Sequence, residues 1–155
     1  MAQSLREEIR QKQPFRSLEH EAYLNLVRTA GVVSDALEQV LKNAGITSAQ
    51  YNVLRILRGA EPAGLCRNEV RDRMLTRMPD MTRLLDRMET GGLVTRTRSA
   101  EDRRVVATHV TARGQRLLAK LDDVVLAEHK RTLGHMSKSE LKSLIELLTR
   151  ARDRD

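Results

Sequence analysis

Apolar residues recur along the chain with two different periods, and the changes of period mark out its elements. Leu26, Ala30, Val33, Leu37 and Val40 follow one another at steps of three and four, the spacing that lines one face of a long helix. That helix is expected to start near Leu18 and to end at Gly45. Thr47 and Gln50 then stand three apart, as in a capping box where hydroxyl and amide each satisfy a backbone N–H at a helix start. A second helix is expected from about Ser48 to Arg58. Gly59, Pro62 and Gly64 break the chain, and a short helix follows from about Arg67 to Met74, with Val70 and Met74 inward. Thr76 and Arg77 make a tight turn. Pro79, whose missing N–H would be unpaired in a first turn anyway, opens a helix over Met78 to Thr90. Met81, Leu84, Leu85 and Met88 form its inward stripe, and Gly91-Gly92 stops it.

Between Leu93 and Val110 the pattern turns to β-branched alternation, in Val94-Thr95-Arg96-Thr97-Arg98 and again in Val105 to Val110, which predicts a two-stranded hairpin. Helical spacing returns after a Thr111 cap through Leu117, Leu118, Leu121, Val124 and Val125. Ser137 and Glu140 repeat the capping box, and a last helix carries Leu141, Leu144, Ile145, Leu148 and Ala151 inward. The fold class is therefore mainly α with a small β-hairpin. Residues 1–17, polar, containing Pro14 and with only a short helical stretch, are expected to form a flexible or loosely docked arm, and residues 18–155 a single domain.

Composition narrows the chemistry. A chain of 155 residues suits one domain, and 40 % apolar with 32 % charged residues describes a soluble, amphipathic protein. No apolar run reaches the length of a membrane span, and the first residues lack a secretory signal, so a cytoplasmic protein is expected. Cys66 is the sole cysteine, which excludes an intramolecular disulfide and a Cys-rich zinc site. No Gly-rich phosphate loop, Gly-x-Ser-x-Gly elbow or His-Glu-x-x-His occurs, so neither an enzyme nor a bound cofactor is expected. His20, His109, His129 and His135 lack the spacing of a helical metal site, and no metal is expected.

The net charge of +7 suits a polyanion, but the distribution says more. From Arg55 to Arg104 every basic residue is Arg, the side chain whose planar fork binds phosphate or a guanine edge at two points. Phe15, Tyr23 and Tyr51 are the only aromatics and Trp is absent, which disfavours stacking on single strands and favours a duplex. Two short helices, a tight turn and a hairpin are the winged helix-turn-helix arrangement, whose second helix fits a major groove about 12 Å wide.

Thr82-Arg83-Leu84-Leu85-Asp86-Arg87-Met88-Glu89-Thr90-Gly91-Gly92-Leu93-Val94, then Asp102-Arg103-Arg104, then Val110-Thr111-Ala112-Arg113-Gly114, in that order, resembles the MarR family, and Gln50-Tyr51-Asn52-Val53-Leu54 agrees with it. The resemblance runs from about Leu18 to the end. It implies a DNA-binding block at about 47–110, and a homodimer made by helices at about 18–44 and 111–152. It also implies repression at a palindromic operator, relieved by a small phenolic or other aromatic ligand or by an oxidant. Carried over residue by residue, it places Arg77, Pro79, Asp80, Thr82, Arg83 and Arg87 on the outward face of the recognition helix. Asp102 would orient Arg104 in a wing whose Arg98, Arg103 and Arg104 approach the minor groove. Asp80 and Asp86 are expected to orient neighbouring arginines or to accept from a cytosine rather than face phosphates.

Three further readings stay open. His20, Tyr23, Tyr51 and Arg55 are candidates for a ligand pocket, or else packing and surface residues. Cys66, near a helix start and beside Arg67, is a candidate redox switch, or else a structural cysteine. A winged helix can also serve as a protein-interaction scaffold, whose mark would be an apolar outer face in place of Arg77, Arg83 and Arg87.

Overall fold

Local capping chemistry sets most of the element boundaries. The computed structural model describes residues 3–98 and 105–153. Its helices are α1 (Leu5–Glu8), α2 (Leu18–Asn43), α3 (Ser48–Arg58), α4 (Arg67–Asp72), α5 (Met81–Thr90), α6 (Ala112–Leu133) and α7 (Lys138–Arg152), and its strands β1 (Leu65–Cys66), β2 (Val94–Arg98) and β3 (Val106–Val110). At α3, Gln50 N–H donates to Thr47 Oγ1 at 3.2 Å and Thr47 N–H donates to Gln50 Oε1 at 2.9 Å. Ser137 and Glu140 make the same exchange at α7. Thr111 accepts from Gly114 N–H at 3.1 Å and starts α6. Gly45 and Gly92 end α2 and α5 with φ of 77° and 69°. That left-handed turn lets Ile46 N–H reach the Leu41 carbonyl at 3.1 Å and Leu93 N–H the Met88 carbonyl at 2.9 Å, satisfying acceptors a helix end leaves open.

The chain divides into two compact units, residues 1–36 and 37–155, with the division inside α2. In the first unit Leu5 is buried, Arg28 Nε donates to Glu8 Oε1 at 2.7 Å, and the Phe15 and His20 rings meet edge-on at 5.7 Å. The apolar face expected on α2 is only partly covered here: Val33 is half-buried, but Leu26 is 44 % exposed.

The second unit holds the main core. Val53, Leu54 and Leu57 of α3 pack with Leu41, Val70 of α4, the α5 stripe Met81, Leu84, Leu85 and Met88, strand residues Val94 and Val110, and Leu118, Leu121 and Val125 of α6. Each such side chain contributes roughly 1.5–3 kcal/mol by leaving water. Arg58 closes the packing on one side, because its Nη1 and Nη2 reach Asp122 Oδ2 and Oδ1 at 2.8 and 2.9 Å and so join α3 to α6. Hydrogen bonding to Arg58 holds the Asp122 carboxyl below the usual aspartate range. A depressed folded-state pKa stabilises above the unfolded value near 3.9 and is lost as pH falls through the lower folded one. Asp122→Asn should therefore lower Tm by about 2–4 °C at neutral pH, as for a pair this exposed to solvent screening. Thermal melts from pH 7 to pH 2 should show the gap between variant and parent closing below about pH 4; a constant gap would contradict the charge-based role.

Several boundaries differ from expectation. The β2–β3 hairpin forms, with Val94 opposite Val110 and Arg98 opposite Val106, and β1 adds a third strand by pairing Leu65 with Thr108 and Cys66 with Ala107. The strand order is β1-β3-β2. Two residues carry no period, so β1 is invisible to a pattern search. Helix α5 starts at Met81, not Met78, and Pro79 lies outside its first turn. Asp80 is the cap, accepting from Arg83 N–H at 3.1 Å, because a carboxylate both satisfies an orphan N–H and lies favourably at the positive helix end. Helix α4 stops at Asp72, short of Met74, which still packs against the core. On α7 no residue is buried: Leu141, Leu144 and Leu148 are half-buried, whereas Ile145 is 62 % exposed and Ala151 is exposed as well. Among the described residues the inward stripe expected there is only partly covered.

Candidate nucleic-acid interface

The four apolar residues of α5 face the core, which forces Thr82, Arg83, Asp86 and Arg87 to the outside. Asp80 serves this face twice, capping Arg83 N–H and placing Oδ2 3.7 Å from Arg83 Nε. Arg87 Nε donates to the Arg83 carbonyl at 3.3 Å. Helix α4 is tied in at its first residue, where Arg67 Nη1 donates to Thr82 Oγ1 at 3.1 Å. The turn between α4 and α5 is held from behind, since Leu75 N–H donates to Asn52 Oδ1 of α3 at 2.9 Å. That bond leaves the Leu75 side chain 87 % exposed beside exposed Arg77 and Pro79. An exposed leucine in such a turn can meet only solvent or a partner, and nothing in its local pattern announced it.

The sheet is pinned to α5 through a second group that sequence reasoning missed. Arg96 of β2 donates from Nε to Glu89 Oε2 at 2.9 Å and from its backbone N–H to Glu89 Oε1 at 3.1 Å, while its Nη2 lies 2.7 Å from Asp86 Oδ1. Hydrogen bonding to Arg96 lowers the Glu89 pKa, and the same bond raises that of Arg96. Two carboxylates on α5 thus neutralise Arg96 and orient the hairpin on the helix. Asp86 orients an arginine on another element rather than one on its own helix. The i, i+3 spacing of Asp86 and Glu89 was the available signal, but the partner lay across a turn. On the other side Glu61 accepts from Val110 N–H at 3.0 Å and lies 3.2 Å from His109 Nδ1, so the loop between α3 and β1 is joined to the hairpin as well.

Of the remaining expected site residues, Arg98 is exposed at the end of β2, and Asp102, Arg103 and Arg104 lie outside the described residues. Cys66 is partly exposed, its backbone N–H donating to Glu69 Oε2 at 2.7 Å at the start of α4. Hydrogen bonding to Cys66 lowers the Glu69 pKa. His20 and Tyr23 belong to the first unit and Tyr51 and Arg55 to the second. Tyr51 is buried and accepts at its hydroxyl from Arg55 Nη1 at 3.1 Å, whereas Tyr23 is 64 % exposed. Among the described residues no three His, Cys, Asp or Glu side chains are grouped to hold a metal ion, and no helix is long and apolar enough to cross a membrane.

Comparison with known proteins agrees with this geometry. The MarR family model matches residues 44–105, the span that contains α3 to β2. The crystal structure of a MarR transcription factor from Planctomyces limnophilus is 41 % identical, covering 88 % of this chain and 98 % of that one with a TM-score of 0.67. The HTH-type transcriptional regulator FarR of Neisseria gonorrhoeae is 26 % identical over 133 residues, 84 % of this chain and 90 % of FarR. At 19 % identity the fold is shared with Sco3205 of Streptomyces coelicolor, a MarR family regulator solved in complex with DNA, with a TM-score of 0.79 over 92 % of this chain and 91 % of that one. The outward arginines of α5, the hairpin held to that helix through Asp86 and Glu89 and the extent of the match to the Planctomyces protein all lead to one assignment: the chain belongs to the MarR family of DNA-binding transcription regulators.

Proposed function

We propose that the chain represses transcription as a homodimer bound to one palindromic duplex, with α5 in the major groove and the wing on the neighbouring minor groove. The observation that carries this reading is the two-sided character of α5, in which Met81, Leu84, Leu85 and Met88 are buried and Thr82, Arg83 and Arg87 are exposed. Thr82, Arg83 and Arg87 supply base and phosphate donors, and Arg77, Pro79 and Asp80 form the approach to the helix. Arg98, Arg103 and Arg104 supply the minor-groove contact, with Asp102 orienting Arg104. An interaction scaffold would instead need an apolar outer face on α5.

Dimerisation is supported by apolar surface that a single chain leaves uncovered: Ile145 and Leu147 on α7 are 62 % and 59 % exposed, and Leu126 on α6 is 51 % exposed. Two copies about 34 to 36 Å apart would read two half-sites on one face of the duplex. Relief of repression by a small aromatic ligand completes the proposal and rests on family membership.

Selection from random duplexes, followed by titration at several salt concentrations, tests the reading. It expects one palindromic site and a log–log slope of about −0.9 per phosphate neutralised. Affinity indifferent to both sequence and salt would refute it. Sedimentation at micromolar concentration should give twice the chain mass.

A further inference from the structure

A cleft of about 370 Å³ opens at the end of α5, lined by Arg87 of that helix, by Arg113, Arg116 and Lys120 of α6, and by the apolar side chains of Ile46 and Leu117. Its volume is that of a small-molecule site. The four cations have an unusual setting. Arg113, Arg116 and Lys120 fall three and four residues apart, so they share one face of α6, where like charges repel. Arg113 sits in the first turn of that helix, which holds no acidic residue. The helix dipole is positive at that end and penalises added positive charge. Among the described residues none of the four makes a salt bridge to a carboxylate. By contrast Arg58, Arg96 and Arg131 are each paired. Arg113 also lies against the end of α5, its Nη1 3.6 Å from where a Cβ on Gly92 would lie.

A concave, partly apolar hollow with unpaired positive charge does not match the convex backbone of a duplex. We infer that this cleft binds a small organic dianion of the phosphate-ester class, its charge on Arg113, Arg116 and Lys120 and its apolar part against Ile46 and Leu117. The site itself is independent of the function proposed above. One consequence rests on that function: Arg87 belongs both to the cleft and to the outward face of α5, so a bound dianion draws it away from DNA and weakens the complex.

Phenyl phosphate is the probe, with phenol and inorganic phosphate at matched ionic strength as controls, titrated by calorimetry into the full chain without DNA. The expected result is saturable binding of phenyl phosphate at least about tenfold tighter than either control, reduced about tenfold or more in Arg113→Gln/Arg116→Gln, as loss of charge-assisted bonds requires. Lys120→Gln alone, a change in the middle of an intact helix, should weaken binding in the same direction, and melting curves establish that both variants fold. Absence of saturable binding, equal affinity for the controls, or undiminished binding by both variants would overturn the site. Loss of DNA affinity in both variants with no binding of phenyl phosphate to the parent would assign the cleft to DNA backbone instead. In a second arm, saturating phenyl phosphate should weaken binding of the selected duplex several-fold in the parent and not in Arg113→Gln/Arg116→Gln. Unchanged DNA affinity in a parent that binds both ligands would overturn the coupling. A parent that binds phenyl phosphate but no duplex would leave the site standing and refute the DNA reading.

Discussion

Gly114→Ala should lower Tm by roughly 6–12 °C, the effect of about 3 kcal/mol of overpacking in a chain this size. Position 114 lies in the first turn of α6, where the helix backbone runs against the end of α5 and the start of the sheet. A Cβ there would sit 2.5 Å from the Leu93 carbonyl oxygen and 2.7 Å from Val110 Cγ2. The first neighbour is backbone, held by Thr111 N–H at 3.1 Å, so it cannot swing aside as a side chain would. Relief requires α6 to move, which disturbs Leu118 and Leu121 in the core. Gly31, with nothing within 4 Å of an added Cβ, provides the contrast: inside α2 Gly31→Ala should be neutral or stabilising, by up to about 1 kcal/mol from helix propensity. Differential scanning calorimetry of the two variants checks the pair, and a Gly114→Ala melt within a degree of the parent would show that the α5–α6 junction is not tightly packed.

Arg83→Ala should cut affinity for the selected duplex about 10- to 100-fold while leaving Tm nearly unchanged. The side chain is 75 % exposed, and its Asp80 neighbour lies at 3.7 Å, so its loss removes little folded-state energy. The Asp80 cap on the residue 83 backbone N–H survives the substitution. If the guanidinium meets a base edge, discrimination at one base pair relaxes; if it meets a phosphate, all sequences weaken alike and the salt slope falls by about 1. Unaltered affinity by fluorescence anisotropy would remove Arg83 from the interface.

The helices were legible because their signals are local. Thr47 with Gln50 and Ser137 with Glu140 state their own capping exchange, and the buried stripe Met81, Leu84, Leu85 and Met88 can be read from spacing alone. Where two local signals competed, the reading erred: Pro79 and Asp80 are both helix-start residues, and only the hydrogen bond from Arg83 N–H shows that Asp80 caps α5. A dipeptide strand such as β1 is invisible because pairing, not composition, makes it a strand.

What the chain's pattern determined by itself is therefore the run of helices from α2 to α7, the hairpin and the outward arginines of α5, since periodicity and caps act within a few residues. Tertiary structure alone decided which charges are left for a partner. Arg58 meets Asp122 across 64 residues, and Arg96 is neutralised by two carboxylates of α5. Arg83 and Arg87 stay on the outside, and Arg113, Arg116 and Lys120 gather around one cleft. In sequence these arginines are alike, because an ion pair depends on distances that only the packing of α3, α5, α6 and the sheet creates.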